Sequence, residues 1–185
     1  MKRITILFSA LILSFGLSAQ SAEEILSTVE KNAARTFNGS FTEVRISASG
    51  DSKTLKGDLL YKPETYLSMM YSNEELFSID GQKMVMIRDG SNQIFDLTKN
   101  VMMKSLASML LNSFGGHPKA IAESQGADLS ACVEGNFYKV NLTARKKSVR
   151  GYSSIELLYD RATCSLRRMK LCEFSGAETH YSMDK

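Results

Sequence analysis

The feature that most narrows the fold of this 185-residue chain is a series of short period-two segments in its first half, punctuated by Asp80-Gly81 and Asp89-Gly90. Phe41 to Ser47, Thr54 to Lys62, Tyr66 to Tyr71, Leu76 to Ile79, Met84 to Arg88 and Gln93 to Leu97 alternate or run apolar over strand-like lengths. Asp-Gly between such runs favours a tight hairpin turn, so Lys53 to Leu97 is predicted to form an antiparallel meander. No alternation of strand and helix occurs, which excludes a Rossmann-type or other parallel sheet. Some of these strands are apolar on both faces: Met84-Val85-Met86-Ile87 has no polar side chain, and Leu59-Leu60-Tyr61 is similar. A sheet with one wet face would alternate, so both faces are expected to be covered or to cover something. That is a first sign of a container.

Helical signals flank the meander. Ser21-Ala22-Glu23-Glu24 has the form of a capping box, followed by Ile25, Val29 and Ala33 on one helical face. A first helix of about fifteen residues is expected, stopped by Asn38-Gly39. Val101 to Phe114 contains one charge, Lys104. Met102, Leu106, Met109, Leu110 and Phe114 share a broad helical face there, which Met103 and Leu111 widen beyond an ordinary amphipathic stripe. At ~1.5 Å per residue this helix is too short to cross a bilayer. Gly115-Gly116 ends it as a candidate hinge, and His117-Pro118 opens a short helical turn running to about Glu123. Four further strands are read at Phe137 to Thr143, Tyr152 to Tyr159, Cys164 to Phe174 and Glu178 to Met183. The order is helix, meander, apolar helix, meander, in a single α+β domain over residues 20–185.

Residues 1–19 read as a removable leader: Lys2 and Arg3, an apolar stretch from Ile4 to Leu17, then Ser18-Ala19. No cysteine follows the cut, so no lipid attachment is expected. The formal charge of +3 loses both basic residues with the leader and falls to +1, and aromatics are not interleaved with basic clusters. Nucleic-acid binding is therefore not expected. Cys164 and Cys172, read as one strand, would stand about 26 Å apart and could not pair with each other. Cys132 could pair with either, or all three could be small buried thiols.

No enzyme motif emerges: G-x-S-x-G, H-E-x-x-H, the P-loop and G-x-G-x-x-G are all missing. His117 and His180 have no nucleophile or metal-ligand spacing around them, so no catalytic residue, metal or cofactor is expected. Glu74-Glu75 reads as a solvated turn pair. Arg145, Lys146, Lys147 and Arg150 read as a solvated loop that could alternatively dock an anionic surface.

Three segments in order carry a resemblance: Phe37-Asn-Gly-Ser-Phe-Thr-Glu-Val-Arg, Gly57-Asp58-Leu59-Leu60-Tyr61-Lys62-Pro63, and Ile79-Asp80-Gly81-Gln82 before an apolar strand. Together they resemble the LolA outer-membrane lipoprotein carrier family, from about Ala22 to Met183. The resemblance implies an incomplete antiparallel β-barrel, a strongly curved sheet closed by a helical lid. It implies a monomeric periplasmic chaperone that shields the acyl chains of triacylated lipoproteins. The implied partners are an inner-membrane lipoprotein-release transporter and an outer-membrane acceptor. A lipid- or lipoprotein-sensing module of the same fold is the alternative reading. The family's arginine before the motif proline, associated with latching the lid, is matched here by Lys62, which lacks the planar guanidinium fork. The family's C-terminal extension is expected to be absent after Lys185.

The implied lipid-binding surface draws on Phe77, Ile79, Met84 and Met86 of the meander and on Met102, Met103, Leu106, Met109, Leu110 and Phe114 of the apolar helix. Only one strand face can line a cavity, and periodicity alone does not say which. Composition adds a clue: ten methionines accompany no tryptophan. Residues 69, 70, 84, 86, 102, 103 and 109 fall in the central meander and the apolar helix. Unbranched, polarizable side chains suit a surface that grips variable chains and releases them.

Overall fold

A computed structural model describes residues 20–33, 36–147 and 151–184. The expected leader and Arg150 lie outside the described residues. Eleven strands form one antiparallel sheet: β1 (Phe37–Ile46), β2 (Ser52–Lys62), β3 (Tyr66–Tyr71), β4 (Leu76–Asp80), β5 (Lys83–Arg88), β6 (Ser91–Asp96), β7 (Ala127–Glu134), β8 (Phe137–Ala144), β9 (Tyr152–Asp160), β10 (Leu166–Glu173) and β11 (Glu178–Asp184). Their spatial order is β6-β5-β4-β3-β2-β1-β11-β10-β9-β8-β7. Both meanders are therefore continuous, and β1 joins them through β11, from Ser40 opposite Asp184 to Ile46 opposite Glu178. The ends, β6 and β7, do not pair, so the sheet is open.

Three helices accompany it: α1 (Ala22–Asn32), α2 (Val101–Gly115) and α3 (Pro118–Gln125). Ser21 caps α1 reciprocally with Glu24, the Glu24 N–H donating to Ser21 Oγ at 3.2 Å and the Ser21 N–H to Glu24 Oε2 at 2.9 Å. The helix ends at Asn32, shorter than expected, where Ala33 turns extended at ψ 142, and Asn38-Gly39 belongs to β1 instead of stopping a helix. Asn100 Oδ1 caps α2 by accepting from the Met103 N–H at 3.0 Å. Gly116 ends it in the left-handed region at φ 70. A Cβ at Gly116 would also collide with Ala33, so this glycine joins the end of α2 to the end of α1.

The register sorts the strands into two faces. Phe41, Gly57 and Tyr71 lie in one cross-strand row, as do Leu67, Ile79 and Met84, and Met69, Phe77 and Met86. In the other meander Val140, Leu157, Met169 and Tyr181 form a matching row. Residues of both sets belong to one buried cluster with Ile25 and Val29 of α1, Met109 and Phe114 of α2 and Ile121 of α3. Side chains from distant strands can meet in one core only if the sheet curls around them, so this face is concave and the helices fill it. Gly57 assists the bend: a Cβ there would run into the Met70 backbone, and above it Phe41 and Tyr71 meet edge to face at 5.0 Å and 84°.

Several expectations need correction. Both faces of the central meander were expected to be covered, yet on the outer face Leu60 and Val85 are only half-buried, while Met70 and Ile94 are 58% and 67% exposed. The second meander has five strands rather than four: Ala127–Glu134, where Ala127, Leu129, Ala131 and Val133 alternate with Asp128, Ser130, Cys132 and Glu134, is an additional edge strand. Cys164 precedes β10 in a turn at φ 51, outside the strand assigned to it, and all three cysteines are free thiols.

Candidate functional site: a chamber beneath helix α2

The C-terminal half of α2 is fastened to the concave face. Met109, Leu110 and Phe114 are buried there, and Phe114 stacks on Tyr61 of β2 with ring centres 5.5 Å apart. The Tyr159 hydroxyl of β9 donates to the Ser113 carbonyl at 2.8 Å in a fully buried setting, which raises its pKa well above the usual phenol range. Ser113 Oγ in turn donates to the Met109 carbonyl at 2.8 Å. Along the N-terminal half burial decreases: Leu106 and Met103 are half-buried, Met102 is 55% exposed and Val101 83%. Gln125 of α3 donates to Ser105 Oγ at 2.8 Å and gives this half a lateral polar contact.

Beneath Leu106 and Leu110 lies a chamber of about 320 Å³, at the lower end of the roughly 300–1,000 Å³ of small-molecule sites. Its apolar wall includes Met69, Phe77, Met86, Leu106, Leu110 and Leu171. Of the ten sequence-predicted lipid-binding residues, Phe77, Met86, Leu106 and Leu110 therefore line the chamber. Ile79, Met84, Met109 and Phe114 pack in the closed core of the same face, Met103 is packed at its border, and Met102 stands at the surface. All four meander residues share one face, which resolves the ambiguity that periodicity left.

The other wall is charged, and sequence reasoning missed it. Glu43, 2% exposed, takes a forked pair of hydrogen bonds from Arg45, Nε to Oε1 at 2.7 Å and Nη2 to Oε2 at 2.9 Å. The Tyr181 hydroxyl donates to the same Oε1 at 3.2 Å. Glu75, read as a solvated turn residue, is buried instead, with Lys53 and Arg45 each 3.6 Å from its carboxylate and the Asn73 amide donating at 2.9 Å. Burial alone would raise the Glu75 pKa; the Asn73 hydrogen bond and the charges of Arg45, Lys53 and Arg88 outweigh it and hold it below the ordinary value. Burial likewise opposes the Arg45 charge, but Glu43 more than compensates and keeps it protonated. Burial and the nearby Glu173 push the Tyr152 phenol up to about 12.

A period-two signal for this wall was present. Phe37, Gly39 and Phe41 face inward, and the same parity carries Glu43 and Arg45 inward; Ile79 and Phe77 carry Glu75 inward in the same way. Lys62, the resemblance-implied latch, is exposed, with its ammonium 5.4 Å over the Tyr66 ring. Among the described residues the long-range hydrogen bond to the C-terminal half of α2 comes from Tyr159.

A second, wider cleft of about 800 Å³ opens between α1, the outer side of α2 and the β2–β3 and β4–β5 turns, lined by Glu30, Lys31, Glu64, Gln82, Lys104 and Asn112 among others. Among the described residues no cluster of three or more histidine, cysteine, aspartate or glutamate side chains could hold a metal ion, and no helix is long and apolar enough to cross a membrane.

Solved structures similar to this chain include a LolA superfamily protein from Nitrosomonas europaea, at 9% identity over 89% of this chain and 92% of that one, with a TM-score of 0.39. LprF from Mycobacterium bovis matches at 12% identity over 90% and 94% of the two chains, with a TM-score of 0.42. The Pseudomonas aeruginosa MucA/MucB complex matches at 12% identity with a TM-score of 0.48; 88% of this chain corresponds to 55% of that one, so this chain spans about half its length. No family model matches the chain, and no curated protein does. At these identities and scores, function has to be argued from the chamber itself.

Proposed function

We propose that the protein is a non-enzymatic carrier that shelters the acyl chains of lipid-modified protein beneath α2, which serves as a lid. The observation that carries this reading is the chamber of about 320 Å³ with its apolar wall, which includes Met69, Phe77, Met86, Leu106, Leu110 and Leu171. Transfer of each acyl methylene out of water contributes ~0.8 kcal/mol, so ten of them supply about 8 kcal/mol before ordering costs. Displacing the N-terminal half of α2 would enlarge the chamber, and that half gives up the least buried surface on moving. Met69 and Met86 contribute flexible thioethers to the wall, suited to chains of variable shape.

The leader read at residues 1–19 and the resemblance to lipoprotein carriers support a periplasmic setting. There the cargo would come from an inner-membrane release transporter and pass to an outer-membrane acceptor. The reading is tested by native mass spectrometry and lipid extraction of protein purified from a bacterial periplasm, with uptake of a fluorescent acyl probe alongside. A bound acyl species or saturable uptake is expected; neither appearing would remove the carrier reading. Release of the bound species to acceptor membranes separates a carrier from a sensor, which would retain it.

A further inference from the structure

The charged wall of the chamber has one open valence. Both oxygens of Glu43 already accept, from Arg45 Nε and Nη2 and from Tyr181. Arg45 Nη1 is different: it is buried and makes no hydrogen bond among the described residues, its ion pair with Glu75 spans 3.6 Å, beyond hydrogen-bond length, and the Tyr71 phenol is its other polar neighbour. Buried donors are almost always satisfied, and more so on a charged group, so an orphaned guanidinium nitrogen on a residue lining a cavity marks a donor that a ligand oxygen would satisfy once the wall shifts to admit it. Arg45 itself lines the chamber, beside Tyr71, Glu75 and Tyr181 and facing the same space as Phe77, Met86 and Leu106.

The surrounding charge restricts what that oxygen can be. Glu43, Glu75 and Glu173 line this end, against Arg45 and Arg88. The Arg45 charge is engaged by Glu43 and Glu75, and Arg88 pairs with Asp89 at 3.6 Å, so an incoming carboxylate or phosphate would add to three carboxylates that face two guanidinium groups. A neutral carbonyl oxygen accepts one N–H and adds no charge. We infer that Arg45 Nη1 is the headgroup contact of the chamber, receiving the carbonyl oxygen of an ester-linked acyl chain whose methylenes lie along Met86, Phe77 and Leu106. The inference rests on the acyl-carrier reading and sharpens it: the ligand is a neutral acyl ester, not a free fatty acid.

The test is displacement of a fluorescent acyl probe from the purified protein at pH 7.5 by monodecanoylglycerol and by decanoate, which share a chain and differ in the head. Monodecanoylglycerol is expected to displace at a concentration at least tenfold lower. In the double variant Glu43→Gln/Arg45→Met, which removes the buried cation together with its counter-charge, the two competitors should come within about twofold of each other while the probe still binds. Arg45→Lys supplies a second variant that keeps the charge and loses the fork, and monodecanoylglycerol should displace less well from it than from the wild type while decanoate remains the weaker competitor. Equal or better displacement by decanoate from the wild type overturns the headgroup assignment while leaving the carrier reading standing, and needs no variant to be seen. An ester preference that survives in the double variant overturns it as well. Failure of the probe and of both competitors to bind overturns the carrier reading and this inference with it.

Discussion

The two halves of α2 are made from similar residues and sit in different surroundings. From Met109 to Phe114 the helix is buried, stacked on Tyr61 and hydrogen-bonded by Tyr159. From Val101 to Leu106 it carries equally apolar side chains, yet Val101 and Met102 are exposed and Leu106 only borders a chamber. Apolar composition therefore does not decide what such a helix does; the partner beneath it does. Leu106 and Leu110, one turn apart at the middle of the helix, roof a space whose floor is partly charged, whereas Ser113 and Phe114 beyond them rest on a packed floor. An element fixed at one end over a cavity is the arrangement a lid needs.

The contrast can be broken first at the fixed end. Phe114→Ala removes the ring stacked on Tyr61 and should lower unfolding free energy by about 3–5 kcal/mol in urea denaturation. A loss below ~1 kcal/mol would mean the C-terminal half is not anchored as described. Tyr159→Phe should cost about 1–3 kcal/mol, because the buried Ser113 carbonyl loses its side-chain donor. At the charged floor, the Glu75 pKa is held below its ordinary 4.5 in the folded state. Its stabilising contribution is therefore complete above that value and lost as pH falls through the lower folded one. The stability difference between wild type and Glu75→Gln should stay constant near neutral pH and shrink below about 4.5. At the free end Met102→Ala should change stability by no more than about 0.5 kcal/mol, as for other exposed sites.

Much of this arrangement was legible in the amino-acid order. Asp89-Gly90 fills a two-residue loop between the paired Arg88 and Ser91, and α2 begins at Val101 as its periodicity indicated. The face that Phe77, Ile79, Met84 and Met86 occupy was not legible, because strands apolar on both sides give parity nothing to choose between. Glu43, Arg45 and Glu75 were missed for a different reason: charged residues are solvated far more often than they are buried in pairs, although their parity with Phe41 and Phe77 placed them inward. The edge strand at Ala127–Glu134 does alternate, with Ala127, Leu129, Ala131 and Val133 on one side, but its two alanines make that a weak apolar signal. The Tyr159 to Ser113 bond joins residues 46 positions apart, and local pattern does not encode it.

The central claim is that the space beneath Leu106 and Leu110 of α2 holds an acyl chain, and filling that space tests it most directly. Leu106→Trp places a large ring into the chamber from its roof, whereas Met102→Trp adds the same ring four residues earlier at the surface. Titration of a fluorescent acyl probe should show saturable binding to the wild type and to Met102→Trp, and at least a tenfold weaker affinity for Leu106→Trp with its thermal unfolding still cooperative. Equal affinity in all three proteins would contradict the account and place any lipid outside this chamber.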